Sequence, residues 1–295
     1  MNRQKGKGYV LILFSAVLWG LLPVFTRKLY ANNYSPIIVS SMRAYIGAIG
    51  ACILMIIMGD YKKFQKKDIS FYLLYGLFSI SGSFLLYASS MKLNSTAVAA
   101  MLLYTGPTFV NIFDRIFYQK KLTWIKIVSL IITFVGCALV VQMYELNTFS
   151  ENIVGIFIGL LSGICYSLTT VLGETGKKRY PGRTNGWLIL MFGSCIFLLI
   201  QPPWKMPVYS IGDWGLFVGL AFFCSILPYT FYLSGLATGI DGGIASIVAT
   251  VEPVMAIVFG VIFFADSLQV LQIFGIIIVL LGVILPIIFE KKMNS

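Results

Sequence analysis

The chain contains no histidine, and only 11% of its 295 residues are charged, against about 25% in a water-soluble domain. No CxxC pair occurs, and Cys52, Cys137, Cys165, Cys195 and Cys224 all fall inside apolar runs. Structural disulfides and zinc centres are therefore not expected. A P-loop of the form GxxxxGK[ST] is absent, which argues against ATP-driven pumping by this chain. So is a GxSxG nucleophile elbow; Gly82-Ser83 lies in an apolar run with no candidate base. With no metal-ligand cluster and no paired carboxylates, the reading is of a non-enzyme without catalytic residue, metal or cofactor.

What the chain has in quantity is apolar sequence, 58% of residues. Ten apolar runs stand out, at about 9–26, 35–58, 70–91, 95–117, 123–142, 152–173, 184–201, 213–236, 243–264 and 269–289. At ~1.5 Å per helical residue, runs of roughly 20 residues match a hydrocarbon core of about 30 Å. The first run follows Arg3, Lys5 and Lys7 but leads into Arg27-Lys28 without a small-residue cleavage site, so it reads as a span and not a signal peptide. With the amino terminus inside and ten spans, 17 of the 22 basic residues fall on the inner side and four on the outer. By the positive-inside rule, both termini are expected in the cytoplasm of a multi-pass cell-membrane protein. Lys62–Lys67 and Lys177–Arg183 would be inside, with Asn32-Asn33 and Glu151 outside. The net charge of +11 is thus a topology signal and not a nucleic-acid footprint.

The second half repeats the first. Residues 97–140 slide by 146 positions onto 243–286 without a gap, placing Pro107 on Pro253, Phe113 on Phe259, Leu122 on Leu268 and Gly136 on Gly282. A shift of 147 brings Gly8 onto Gly155, Ser15 onto Ser162 and Trp19 onto Tyr166. Five spans per half is an odd number, so the halves must be inserted in opposite senses. The expected fold is all-α, with ten transmembrane helices as two inverted five-helix repeats, 1–146 and 147–295. Inverted repeats of this kind are the sequence trace of secondary transporters, whose site lies between the halves.

Several short motifs sit in a familiar order: Leu18-Trp19-Gly20, Arg43, Tyr87-Ala88, Ala97 through Pro107, Leu122 with Gly136, Glu252-Pro253, Asp266-Ser267-Leu268 and Gly282. Together they resemble two EamA-type repeats of the drug/metabolite transporter superfamily, over nearly the whole chain. The resemblance implies a ten-helix carrier for small metabolites, often an exporter of amino acids or related compounds, with a central cavity. It also implies an acidic residue two positions before the leucine that follows the fourth helix of each repeat. Asp266 keeps it; the first copy reads Lys120-Lys121-Leu122.

Two charges lie deep within the expected spans, Arg43 and Glu252. Each costs roughly 2.5–3.5 kcal/mol near a helix centre, so each should face a cavity or a partner. Glu252 precedes Pro253, whose missing N–H leaves a carbonyl free and invites a kink, matched by Gly106-Pro107 in the first half. It either binds a solute amine or a coupling proton, or locks helices together. Arg43 either meets a carboxylate or is held by Glu252 or a carbonyl. Trp19, Tyr87, Tyr104, Tyr166 and Tyr232 share the motif-bearing spans and are the aromatic candidates for lining the cavity. Asp114-Arg115 reads as an interfacial pair. Gly155, Gly159, Gly163 and Ser167 form a close-packing stripe, as do Gly215 and Gly219. The leading reading is a carrier whose partners are a small solute and the bilayer. The alternative is a lipid-handling, flippase-like protein, against which the lack of interfacial acid/base groups speaks. The residues fit proton coupling and facilitated flux alike, and they set no oligomeric state.

Overall fold

The computed structural model describes residues 3–144, 152–207 and 209–293, and among these every regular element is helical. Among the described residues nine helices have the length and hydropathy to cross a membrane: α1 (Arg3–Ala31), α2 (Pro36–Ile57), α3 (Lys66–Leu93), α4 (Thr96–Tyr118), α6 (Ile153–Gly176), α7 (Gly182–Ile200), α8 (Ile211–Leu236), α9 (Gly242–Phe264) and α10 (Val270–Met293, the span itself ending at Phe289). The tenth, α5 (Trp124–Val140), has 17 residues. At ~1.5 Å per residue it spans about 26 Å. It stops short of the expected 142 because the chain turns there, with Gln142 at a left-handed φ of 60°. The expected division at residue 146 and the position of Glu151 lie outside the described residues.

Helix starts follow local chemistry. Ser35, Ser95, Thr123, Asn152, Ser210 and Asp241 each accept a backbone N–H of the first turn of α2, α4, α5, α6, α8 and α9 respectively, satisfying donors that a helix leaves free. The repeat also appears in the irregularities. α4 breaks between Leu103 and Gly106, and α9 between Ala249 and Glu252, 146 residues apart. A proline ring collides with the carbonyl four residues earlier. Those carbonyls belong to Leu103 and Ala249, so the kinks expected at Pro107 and Pro253 fall one turn before them. α3 and α8 each contain a π-helical segment, Leu77–Gly82 and Phe222–Ile226. Gln119 and Ala265 end α4 and α9 with the same φ of 54°.

The packing is also duplicated. α1 lies against α8 and α9, as α6 lies against α3 and α4, and α5 pairs with α10. The glycine stripe explains the second of these contacts. A Cβ on Gly163 would stand 2.5 Å from Thr105 Oγ1 and 2.7 Å from the Leu102 carbonyl, so only glycine lets α6 reach the break in α4. Gly219 does the same against Phe25, whereas Gly215 has nothing within 4 Å of that position. A polar clasp joins the halves beyond the spans. The fully buried Asp60 accepts from Arg183 Nε at 3.0 Å, Thr184 Oγ1 at 2.8 Å and Lys63 Nζ at 3.2 Å. The Arg183 guanidinium holds its carboxyl down at about 2, against the opposing effect of burial. Beside it, Asp68 takes bonds from Arg179 and from Tyr180 Oη at 2.6 Å.

Candidate functional site

A cavity of about 640 Å³ opens between the halves on the face that carries Arg27 and Asp266, and it runs inward to Glu252. Its wall includes Trp19, Tyr30, Tyr87, Tyr104, Gln272 and Ala256. A small extension of about 40 Å³ continues from it, and Arg43, Tyr166 and Tyr229 meet Trp19, Tyr87 and Glu252 there. Six of the seven side chains singled out in the sequence therefore converge on one region: Trp19, Arg43, Tyr87, Tyr104, Tyr166 and Glu252. Tyr232 does not line either space. It is buried behind Trp19, ring centroids 5.5 Å apart, and its hydroxyl meets Thr170 Oγ1 at 2.6 Å.

The break in α9 makes Glu252 the first residue of a new half-helix. The free N–H groups there give a partial positive charge that favours a carboxylate. No ion pair joins Glu252 to Arg43 among the described residues. Arg43 instead donates from Nε to Ser225 Oγ at 2.8 Å and from Nη2 to the Cys224 carbonyl, with its guanidinium 4.1 Å from the centre of the Phe84 ring. Its carbonyl acceptor lies four residues before Pro228, which has no N–H to offer it. Tyr229, absent from the sequence reading, packs edge-on to Trp19 at 5.4 Å. Its repeat partner is Phe84 at a shift of 145, and that correspondence was the available signal.

The opposite face, marked by Lys120, is sealed. There the second half of α4 packs against the first half of α9, while the corresponding halves on the Arg27 face stand apart. Repeat-related residues show the difference directly. Ala256, Tyr87, Thr96 and Ala100 line the cavity; their counterparts Val110, Tyr232, Gly242 and Ser246 are buried. More charges are buried in this seal than the sequence reading allowed, namely Asp114, Glu174 and Lys126. Asp114 pairs not with Arg115 but with Lys120, at 2.8 Å.

The departure at Lys120 is thereby explained. Asp266 pairs with Arg27 at 2.5 Å, and Lys120 pairs with Glu174 at 3.2 Å. Lys120 and Asp266 are repeat partners at a shift of 146, as Arg27 and Glu174 are at 147. The same staple, from the first helix of one repeat to the loop after the fourth helix of the other, is present twice with its charges exchanged.

Inverted five-helix repeats around a cavity open to one face are the architecture of secondary transporters. The EamA-like transporter family model matches residues 6–142 and 153–288, and the chain belongs to that family. Similar proteins include an uncharacterized transporter of Clostridium kluyveri, 24% identical over 98% of this chain and 96% of its own. The uncharacterized transporter YyaM of Bacillus subtilis is 25% identical over 94% and 92%, and an Archaeoglobus fulgidus transporter is 24% identical over 94% and 95%. A solved structure described only as "Crystal structure of protein" superposes with a TM-score of 0.81 at 15% identity, over 98% of this chain and 99% of that one, which shows the shared fold.

Proposed function

We propose that this EamA-family transporter is a secondary carrier for a small metabolite with a basic amine, such as an amino acid, acting by alternating access between its halves 1–146 and 147–295. The observation that carries this reading is the one-sided cavity: it ends on an aromatic-walled carboxylate, while the repeat partners of its lining are packed away. Glu252 would meet the ammonium group or a coupling proton. The free edge of the Arg43 guanidinium would meet a carboxylate, and Trp19, Tyr87, Tyr104 and Tyr166 would frame the body of the solute. The basic bias supports placing the Lys120 face in the cytoplasm and the cavity mouth outside the cell membrane, and the proposed direction is net export or facilitated flux. No catalytic role is proposed.

The test is uptake of labelled amino acids and amphiphilic cations into proteoliposomes, with and without a pH gradient. Saturable flux of an amine-bearing solute supports the reading; no flux across the panel overturns the substrate class. A lipid-handling role has one observation in its favour, an apolar groove of about 570 Å³ between α4, α5 and α6. Its lining, which includes Phe109, Ile131 and Phe134, offers no charged side chain to a headgroup. Labelled phospholipid in the same vesicles distinguishes the two.

A further inference from the structure

The seal on the Lys120 face contains polar links that the repeat fails to duplicate. Lys126, at the start of α5, reaches Asp241, which caps α9, with Nζ 2.7 Å from Oδ1. Lys126 is 7% exposed. The pair ties the start of α9 to the corner between α4 and α5, on the line where the halves meet. In the same seal, Tyr232 of α8 bonds Thr170 of α6, a contact within the second half.

The repeat identifies the residues that would occupy the same places when the Arg27 face closes. A shift of 146 takes Lys126 to Gln272 and Asp241 back to Ser95. Shifts of 145 and 147 take Tyr232 back to Tyr87 and Thr170 back to Pro23. Here Gln272 and Tyr87 line the open cavity, and Gln272 donates to the Val140 carbonyl at 3.1 Å. One seal is thus built on an ion pair between the halves, its lysine buried and its aspartate half-buried, with a Tyr–Thr hydrogen bond inside the second half. The other would hold a Gln–Ser pair and a tyrosine against a proline that lacks a donor. A charge-assisted bond away from water is stronger than a neutral one, so the two closures are not equivalent.

We infer that Lys126 and Asp241 form a conformational latch, and that this latch holds the empty carrier open at the Arg27 face. The inference rests on the alternating-access reading of the cavity. In that cycle a solute arriving from the Lys120 face must first break the ion pair, whereas the opposite closure releases without one. The two directions of flux therefore start from unequal barriers.

Transplanting each seal onto the other tests this. Lys126→Gln with Asp241→Ser installs the residues of the second seal in the first. Ser95 itself caps α4, so serine at 241 keeps the helix cap and isolates loss of the pair. Ser95→Asp with Gln272→Lys does the reverse. The reporters are Val110→Cys and Ala256→Cys, introduced separately after replacing the five native cysteines by alanine, and labelled with a maleimide in nanodiscs that expose both faces. In the parent, position 256 labels fast and position 110 slowly. The first swap is expected to speed position 110 by roughly tenfold or more and slow position 256, the difference a charged bond makes. The second swap is expected to slow position 256. Unchanged rates in both swaps overturn the latch; so do rates that rise together at both positions, which would report loosening of the fold. If the first swap does not yield monodisperse protein, the second, at the exposed face, decides alone. Rates that shift as expected in a protein moving no solute would overturn the carrier reading and leave the latch standing.

Discussion

The clasp at Asp60 gives a quantitative expectation for stability against pH. Its carboxylate is fully buried and takes bonds from Arg183, Thr184 and Lys63, joining the α2–α3 connection to the start of α7. The folded-state pKa of about 2 lies below the ordinary value of 3.8. A depressed carboxyl contributes stability that is fully present above the unfolded value and is lost as pH falls through the folded one. The window therefore runs from about pH 4 to about pH 2. A full shift of this size would be worth roughly 2 kcal/mol, and the partial exposure of Arg183 and Lys63 reduces it to about 1–2 kcal/mol. For a chain of this size the melting temperature changes by roughly 2 °C or more per kcal/mol. Asp60→Asn should thus melt a few degrees below wild type at pH 7, measured by thermal size-exclusion in detergent. The gap between the two should shrink as pH is lowered through the window, since wild type loses the same charge. A gap that stays constant from pH 7 to pH 2, or no gap at pH 7, would refute the assignment of the depressed pKa to this clasp.

Gly163→Leu should cost about 1–3 kcal/mol or abolish monodisperse protein, because the new side chain meets the break in α4; Gly215→Leu, in open space, should melt like wild type in the same assay. Arg43→Ala should weaken binding of solutes that carry a carboxylate more than that of neutral analogues, read from competition in proteoliposomes. Single-cysteine labelling in cells should place position 64 inside, and reaction there with an impermeant external reagent would reverse the proposed orientation.

Much of the architecture was legible because the repeat is written in prolines and glycines, whose backbone effects are local. Pro107 and Pro253 announce the paired breaks, and Gly163 announces a close approach. Gathering Trp19, Arg43, Tyr87 and Glu252 was also within reach, since each lies on a motif that recurs or carries a costly buried charge. The pairing of Lys126 with Asp241 was not, because 115 residues separate them and only the packing of α9 against α4 brings them together. Tyr232 illustrates the same limit from the other side. It is the repeat partner of Tyr87, yet one lines the cavity and the other is sealed in. A symmetric sequence marks both residues alike; the tilt of one half against the other decides which is exposed.

The most direct test of the central claim, that the cavity ending at Glu252 is the transport site, is the flux of Glu252→Gln. Uptake should be measured in proteoliposomes with and without a pH gradient, per molecule of monodisperse protein. Glutamine keeps the size and loses the charge, so the account predicts abolished transport or transport no longer driven by the gradient, in protein that remains folded. Wild-type specific activity with an unchanged pH dependence would contradict it.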